Sequence, residues 1–316
     1  MYRIGIDLGG TNIVAAVVDE DFHIVSKASC KTACPRPAEE IVADMGRMAL
    51  EAAEKAGLTM ADVASVGVGC PGTCNRDSGL VEYSNNLGFE QLPLQKMLGE
   101  MLHKNVLIEN DANAAAFGEY IAGVGKEADS MVCITLGTGV GGGVITDGKI
   151  LTGSNSSGAE LGHIVIVADG EACSCGRDGC WEAYSSATAL IRQTKAAMEK
   201  NPDSYLWKLA PTLDDVNGKT AFDGMRAEDA VATDVVKYYI RMLACGLTNI
   251  INIFQPEVLC LGGGICKEGD YLLKPVMEHI KRERYSKFCE KQTRLEIARL
   301  GNDAGLIGAA FLDKVL

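Results

Sequence analysis

Glu160–Glu182 reads ELGHIVIVADGEACSCGRDGCWE. The stretch holds His163, Cys173, Cys175 and Cys180, with the sulfurs at C-x-C-x4-C and glycines at 176 and 179 where a short loop must turn back on itself. Three thiolates and an imidazole make a full tetrahedral set for Zn²⁺ and leave no open position for water, so such an ion is structural. Soft sulfur with imidazole favours zinc over magnesium or calcium. Three buried thiols and an unrelated histidine are the plainer alternative, since cysteine is often buried as a small hydrophobe. The flanks suggest a second role. A metal on one ring nitrogen of His163 fixes its tautomer and leaves the other nitrogen to hydrogen-bond outward. A loop presenting Glu160, His163 and Glu182 together suits adjacent hydroxyls, as on a sugar.

The chain around this loop has 316 residues, room for two domains with full cores. Its 47% hydrophobic and 23% charged residues match an ordinary soluble globular protein. The net charge of −12, without a basic cluster, argues against nucleic acid as partner. Twelve cysteines spread over this length do not resemble a secreted disulfide scaffold, which points to a reducing, cytoplasmic setting. The N-terminal run MYRIGIDLGGTNIVAAVV carries Asp7 and a glycine pair, so it reads as neither signal peptide nor membrane span.

Two strand-and-turn sets divide the chain. Arg3–Leu8, Asn12–Asp19 and Ile24–Ser29 read as an antiparallel meander broken at Gly9-Gly10 and Asp19-Glu20-Asp21. Pro37–Gly57 reads as a helix, Val63–Gly69 as a strand, Gln91–Leu102 as a helix, Asn105–Glu109 as a strand and Asp111–Ala122 as a helix. The order recurs in Ser130–Leu136, Gly143–Thr146 and Lys149–Thr152, followed by the inserted metal loop. Beyond it come helices from about Ala183, a long helical stretch Ala227–Phe254, strands Pro256–Leu261 and Leu295–Ala298, and a terminal helix Asn302–Leu316. The fold class expected is α/β, with two domains of duplicated topology, each a mixed sheet with helices on its faces. The join is expected near Asn110–Ala112. Residues 1–111 with the terminal helix, about 302–316, then form a smaller domain, and 112–301 a larger one carrying the zinc loop. Asp203–Arg226 has mixed composition and stays unassigned.

Three glycine-rich turns follow strands: Asp7-Leu8-Gly9-Gly10-Thr11-Asn12, the run from Gly137-Thr138-Gly139 to Gly143, and Gly262-Gly263-Gly264. Glycine lets backbone N–H groups close on a phosphate, although any tight hairpin also favours it. Their corresponding places in a duplicated fold favour a nucleoside triphosphate. Gly137–Gly142 formally fits G-x-G-x-x-G, but the strand-like Val144-Ile145-Thr146 follows where the dinucleotide fingerprint needs a helix. Asn110 and Asp111 stand in tandem ahead of an alanine-rich helix. Both are good N-caps, and one of them is then left over. A spare carboxylate there would accept the proton of an attacking hydroxyl in phosphoryl transfer. Cys70-Pro71-Gly72 and Asn85-Asn86-Leu87-Gly88-Phe89 are turns suited to hydroxyls.

Together these residues resemble the ROK family (repressors, open reading frames, kinases) of sugar kinases and sugar-responsive regulators, within the actin-like ATPase superfamily. The most specific part is E-x-G-H at Glu160–His163 followed by C-x-C-G-x-x-G-C-x-E at Cys173–Glu182. The resemblance implies two actin-like (ribonuclease H-like) ATPase domains and structural zinc on His163, Cys173, Cys175 and Cys180. It implies sugar binding by Asn86, Asp111, Glu160, His163 and Glu182, with Gly72 and Asn110 nearby, and Asp111 as base for the sugar 6-hydroxyl. ATP with Mg²⁺ would lie on Asp7, Gly9, Gly10, Thr11, Asn12, Gly137, Thr138, Gly139, Gly262 and Gly263, with Asp7 facing the metal through water. The implied activity is ATP-dependent phosphorylation of a hexose, glucose first, with N-acetylmannosamine, fructose or N-acetylglucosamine as alternatives. Helices of the larger domain would pair copies into a homodimer or larger assembly. A non-catalytic sugar-sensing regulator is the rival class; its DNA-binding segment would precede the Asp7 turn, where this sequence leaves no room. Asn12 stands where many relatives carry lysine, and Phe89 where many carry tryptophan.

Overall fold

Alternating apolar residues after Met1 build a ladder that turns twice. In a computed structural model that describes residues 1–315, β1 (Tyr2–Leu8), β2 (Asn12–Val18) and β3 (Ile24–Lys31) pair as an antiparallel meander. α1 (Ala38–Lys55) has Pro37 at its N-cap and Gly57, at φ +70°, just past its end, the usual place for glycine. Its stripe of Ile41, Met45, Met48 and Ala52 joins a core with Ile4, Ile6 and Val17 of the meander. β4 (Val63–Cys70) lies parallel to β1. β5 (Thr73–Asn75), β6 (Leu80–Ser84) and β7 (Phe89–Leu92) form a separate antiparallel sheet. After α2 (Leu94–Leu102), β8 (Val106–Asn110) pairs parallel to β4 and runs directly into α3 (Asp111–Ala122).

β9 (Ser130–Leu136), β10 (Val140–Thr146) and β11 (Lys149–Ile150) follow. Next come α4 (Glu182–Ser185), α5 (Ala187–Lys200), α6 (Leu206–Leu209), α7 (Thr220–Arg226) and α8 (Ala230–Phe254). β12 (Val258–Gly262), α9 (Asp270–Glu283), β13 (Arg294–Ile297) and α10 (Ala304–Ala310) complete the chain. The first large sheet has the order β3-β2-β1-β4-β8 and the second β11-β10-β9-β12-β13. Both orders run third, second, first, then two later strands. Each sheet mixes parallel and antiparallel pairs, the second through antiparallel β10–β11 and parallel β12–β13.

The chain divides into two compact units. One comprises Met1–Cys133, Gly143–Ala159 and the run from Ala298, the other Ile134–Gly142 and Glu160–Ile297. In the first unit α10 lies with its backbone directly on the strands. A Cβ at Gly5 of β1 would stand 1.9 Å from the Leu306 carbonyl oxygen, and one at Gly67 of β4 would stand 1.8 Å from that of Ala309. No helix among the described residues is long and apolar enough to cross a membrane.

Several boundaries differ from expectation. Gln91 and Leu92 belong to β7, and the helix expected from Gln91 starts at Leu94 because Pro93 is its N-cap. The helix expected over Ala227–Phe254 starts at Ala230, where the Asp229 carboxylate accepts the Ala232 N–H at 2.7 Å. The terminal helix is short: a 3-10 turn at Gly301–Asp303 precedes α10 and another at Leu312–Lys314 follows it. Leu316, the last residue of the expected helix, lies outside the described residues. Asp203–Arg226, unassigned by pattern, contains α6 and α7. The β5–β7 sheet and α9 had no counterpart in the sequence reading, because very short strands and a helix with Pro275 inside it carry weak local signals.

Candidate functional site

In the second unit the Cys₃His loop is a tight, cross-braced turn. Gly176 and Gly179 have φ of +87° and +78°, and the Cys173 N–H donates to the Arg177 carbonyl at 2.9 Å. A Cβ at Gly179 would fall 1.7 Å from the Val167 carbonyl oxygen, so only glycine fits. Trp181, fully buried beside the loop, donates its indole N–H to the Met242 carbonyl of α8 at 3.1 Å and anchors the loop on that helix.

The ligand atoms of His163, Cys173, Cys175 and Cys180 all lie within 4.8 Å of one another. Cys173 Sγ is 3.6 Å from His163 Nδ1, and Cys175 Sγ is 3.6 Å from Cys180 Sγ. A zinc tetrahedron with Zn–S near 2.3 Å and Zn–N near 2.0–2.1 Å has S–N edges of about 3.6 Å and S–S edges of about 3.8 Å. The donors therefore fit zinc in kind and spacing. Nδ1 points to the sulfurs, which leaves Nε2 of His163 for another partner.

Glu182 opens α4 and reaches back. Its Oε2 accepts the Val140 N–H at 2.9 Å, and Oε1 lies 3.3 Å from Ser174 Oγ. Glu160, exposed, precedes the 3-10 turn Leu161–His163. The turn after β9 closes on itself, with the Gly137 N–H donating to the Gly139 carbonyl at 3.0 Å, and Thr138 is exposed at its tip. The turn after β12 abuts it. Gly263 has φ +101°, and a Cβ there would stand 2.1 Å from the Leu136 carbonyl oxygen. Gly262 is the last, buried residue of β12.

In the first unit, the sequence left Asn110 and Asp111 competing for one cap. Asn110 takes it: its Oδ1 accepts from Ala112 N at 2.9 Å and Asn113 N at 3.2 Å. Its Nδ2 donates to the Gly72 carbonyl at 3.1 Å. Gly72 has φ +104° and leaves no room for a Cβ, which would meet the Tyr83 carbonyl oxygen at 2.1 Å. Asp111, half-buried at the start of α3, shares the Ala112 N–H, accepting it through Oδ1 at 2.9 Å, while the Asn113 N–H goes to Asn110. Burial raises its pKa above the ordinary range. Asn86 is exposed on the turn between β6 and β7. Phe89, 1% exposed, is a core residue of β7 and offers no ring to a ligand.

The turn after β1 lines a pocket of about 420 Å³ formed by Asp7, Gly9, Gly10, Thr11, Asn12, Val14, Lys27, Asn302, Asp303 and Leu306. Burial, and behind it the negative charge of Asp111, pushes Asp7 up to about 6. Asp7 gives this pocket a hard oxygen donor of the kind Mg²⁺ prefers, while the Asp303 carboxylate is paired with Lys27 Nζ at 2.5 Å. Where many relatives have lysine, Asn12 accepts a hydrogen bond from Lys31 Nζ of the neighbouring strand at 2.9 Å. Asn302, Asp303 and Lys27 are not among the site residues expected from the sequence. The carboxamide and carboxylate just ahead of an alanine-rich helix, as at Asn110-Asp111, were the available signal.

The structure is an α/β chain of mixed sheets, with glycine turns after its strands and a Cys₃His loop. Residues 3–315 match the ROK family, and the chain belongs to it. It is 38% identical over 312 residues to a glucokinase of Streptomyces coelicolor, covering 98% of this chain and 96% of that protein. It is 36% identical over 312 residues to a glucokinase of Thermotoga maritima, with the same coverage. Among solved structures, a ROK family glucokinase from Streptomyces griseus in complex with glucose and AMPPNP superposes with a TM-score of 0.81 at 37% identity, covering 99% of each chain.

Proposed function

We propose that this protein is an ATP-dependent hexose kinase, a glucokinase that phosphorylates the 6-hydroxyl of glucose. The observation that carries the reading is Asn110 holding the α3 cap while the neighbouring Asp111, with Oδ1 on the Ala112 N–H, leaves Oδ2 for a substrate proton. This is the arrangement a general base needs, and full-length likeness to glucokinases supplies the substrate class.

Asp111 accepts the proton of the sugar 6-hydroxyl as that oxygen attacks the γ-phosphorus in line. Asn86, Gly72, Glu160, Glu182 and His163 Nε2 are the groups proposed for the sugar hydroxyls. Backbone amides of the Gly9–Asn12, Gly137–Gly139 and Gly262–Gly263 turns bind the phosphates, and Asp7 orients the metal's water. Mg²⁺ carried with ATP supplies charge that offsets the developing negative charge on the phosphoryl oxygens. Zinc on His163, Cys173, Cys175 and Cys180 supplies a fixed loop. The proposal includes an actin-like duplication, supported by the matching strand orders. It places the functional division at 1–111 with 302–316 against 112–301, in a cytoplasmic homodimer or larger assembly.

ADP release with ATP and Mg²⁺ over glucose, mannose, fructose, N-acetylglucosamine and N-acetylmannosamine tests the reading. Preferred turnover of glucose is expected. Turnover of only an acetylated sugar would retain the chemistry and replace the substrate, and no turnover of any sugar would remove the kinase reading.

A further inference from the structure

We infer that Arg76, acting through Glu109, is the positioning residue that holds Asp111 in its working place, an inference that rests on the hexose-kinase reading above. Arg76 begins the turn between β5 and β6. The turn is itself fixed: Asn75 Oδ1 accepts the Asp77 and Ser78 N–H groups at 3.1 Å each, and the Asn75 carbonyl accepts the Gly79 N–H at 2.9 Å. From this turn Arg76 directs both Nε and Nη2 at one oxygen, Glu109 Oε2.

Glu109 is 1% exposed at the end of β8, and its other oxygen faces the start of α3. Oε1 accepts the Asn110 N–H at 2.8 Å and the Asn113 Nδ2 at 2.9 Å. Asn110 is the α3 cap, and Asn113 lies in the first turn, so one buried carboxylate holds the residues on either side of Asp111. The relay runs from arginine to glutamate to the two asparagines that fix the helix start.

The arginine matters because Glu109 is buried and Oε2 has Arg76 as its partner. Without the guanidinium that buried oxygen loses its partner, and a carboxylate that turns to find another loosens its hold on Asn110 and Asn113. That moves the α3 start. A displacement near 1 Å at a reacting group is worth about 10²-fold in rate. The planar guanidinium also presents two donors in fixed geometry, which an ammonium does not.

The test compares R76Q, R76K, E109Q and R76Q/E109Q by kcat, KM for ATP, melting temperature and zinc content. R76Q is expected to lose about 10²-fold in kcat with KM for ATP unchanged, and R76K to recover part of the loss. The double variant removes both charges while leaving a carbonyl oxygen for Asn110 and Asn113. It is expected to exceed R76Q in kcat by about tenfold, a coupling that independent sites do not show. Wild-type kcat in R76Q would overturn the inference, as would a folded double variant no faster than R76Q. If R76Q does not fold, R76K and the double variant decide: both should fold and turn over, and inactive folded forms would overturn the inference. A wild-type chain inactive on every sugar would instead sink the hexose-kinase reading before any variant is compared.

Discussion

The Glu182 carboxylate accepts the backbone N–H of Val140 at 2.9 Å, joining the Cys₃His loop to the glycine turn after β9. The sequence assigns these segments to different substrates, sugar for the loop and nucleotide for the turn. One side chain ties them. A Cβ at Gly139 would stand 2.2 Å from Glu182 Oε2, so the turn has glycine where the carboxylate needs space. Gly139→Ala is expected to displace Glu182 and raise KM for glucose and for ATP together, each by about tenfold, the worth of roughly one lost charge-assisted hydrogen bond. Steady-state kinetics in both substrates check this; a change in KM for ATP alone would show that the carboxylate had stayed in place.

Asp111→Ala removes the proposed base and leaves the cap, which belongs to Asn110. A rate loss of about 10²–10⁴-fold is expected, with zinc content and circular dichroism unchanged. Retained turnover would take Asp111 out of the base role.

The raised pKa of Asp7 has opposite consequences for stability and activity. Its folded value is about 6, above the ordinary 3.8, so between those values the folded state binds more protons than the unfolded one. Stability therefore falls as pH rises through this window, and above about 6 the buried charge is a destabilising element. Asp7→Asn is expected to raise ligand-free stability at pH 7 by on the order of 1–3 kcal/mol, read as a higher melting temperature, with the gain shrinking towards pH 4. The same variant should lose activity. In the wild type the rate should drop on acidification through about pH 6, since both Asp7 and Asp111 work as anions. Melting curves and a pH–rate profile decide; a variant no more stable than wild type at pH 7 would contradict the assignment.

Cys175→Ser replaces a donor on the exposed side of the metal loop. Zinc content, read by elemental analysis, and glucose affinity, read by calorimetry, are expected to fall together, because the metal sets the orientation of His163. Normal affinity in a zinc-free variant would break that link.

Much of this was legible in local chemistry. Asp111–Ala122 and Ser130–Leu136 match the bounds expected from sequence because a pair of cap-forming residues before an alanine run, and an unbroken apolar run, mark them without help from the rest of the chain. The Cys₃His donors were legible because their spacing closes a small loop, and their atoms lie together. The β5–β7 sheet was not legible. Strands of three to five residues show little period, and pairing with one another is what makes them strands.

The sequence by itself determined the α/β class, the glycine turns and the donor set, since each depends on residues that are neighbours in the chain or repeat at the period of one element. Only the tertiary structure decided between Asn110 and Asp111 for the α3 cap, ended the last helix after Ala310, set Glu182 on Val140 and joined Arg76 to Glu109. The last two contacts link positions far apart in sequence. Their energy comes from burying a charge beside one particular partner, and no local pattern records which partner the fold will bring.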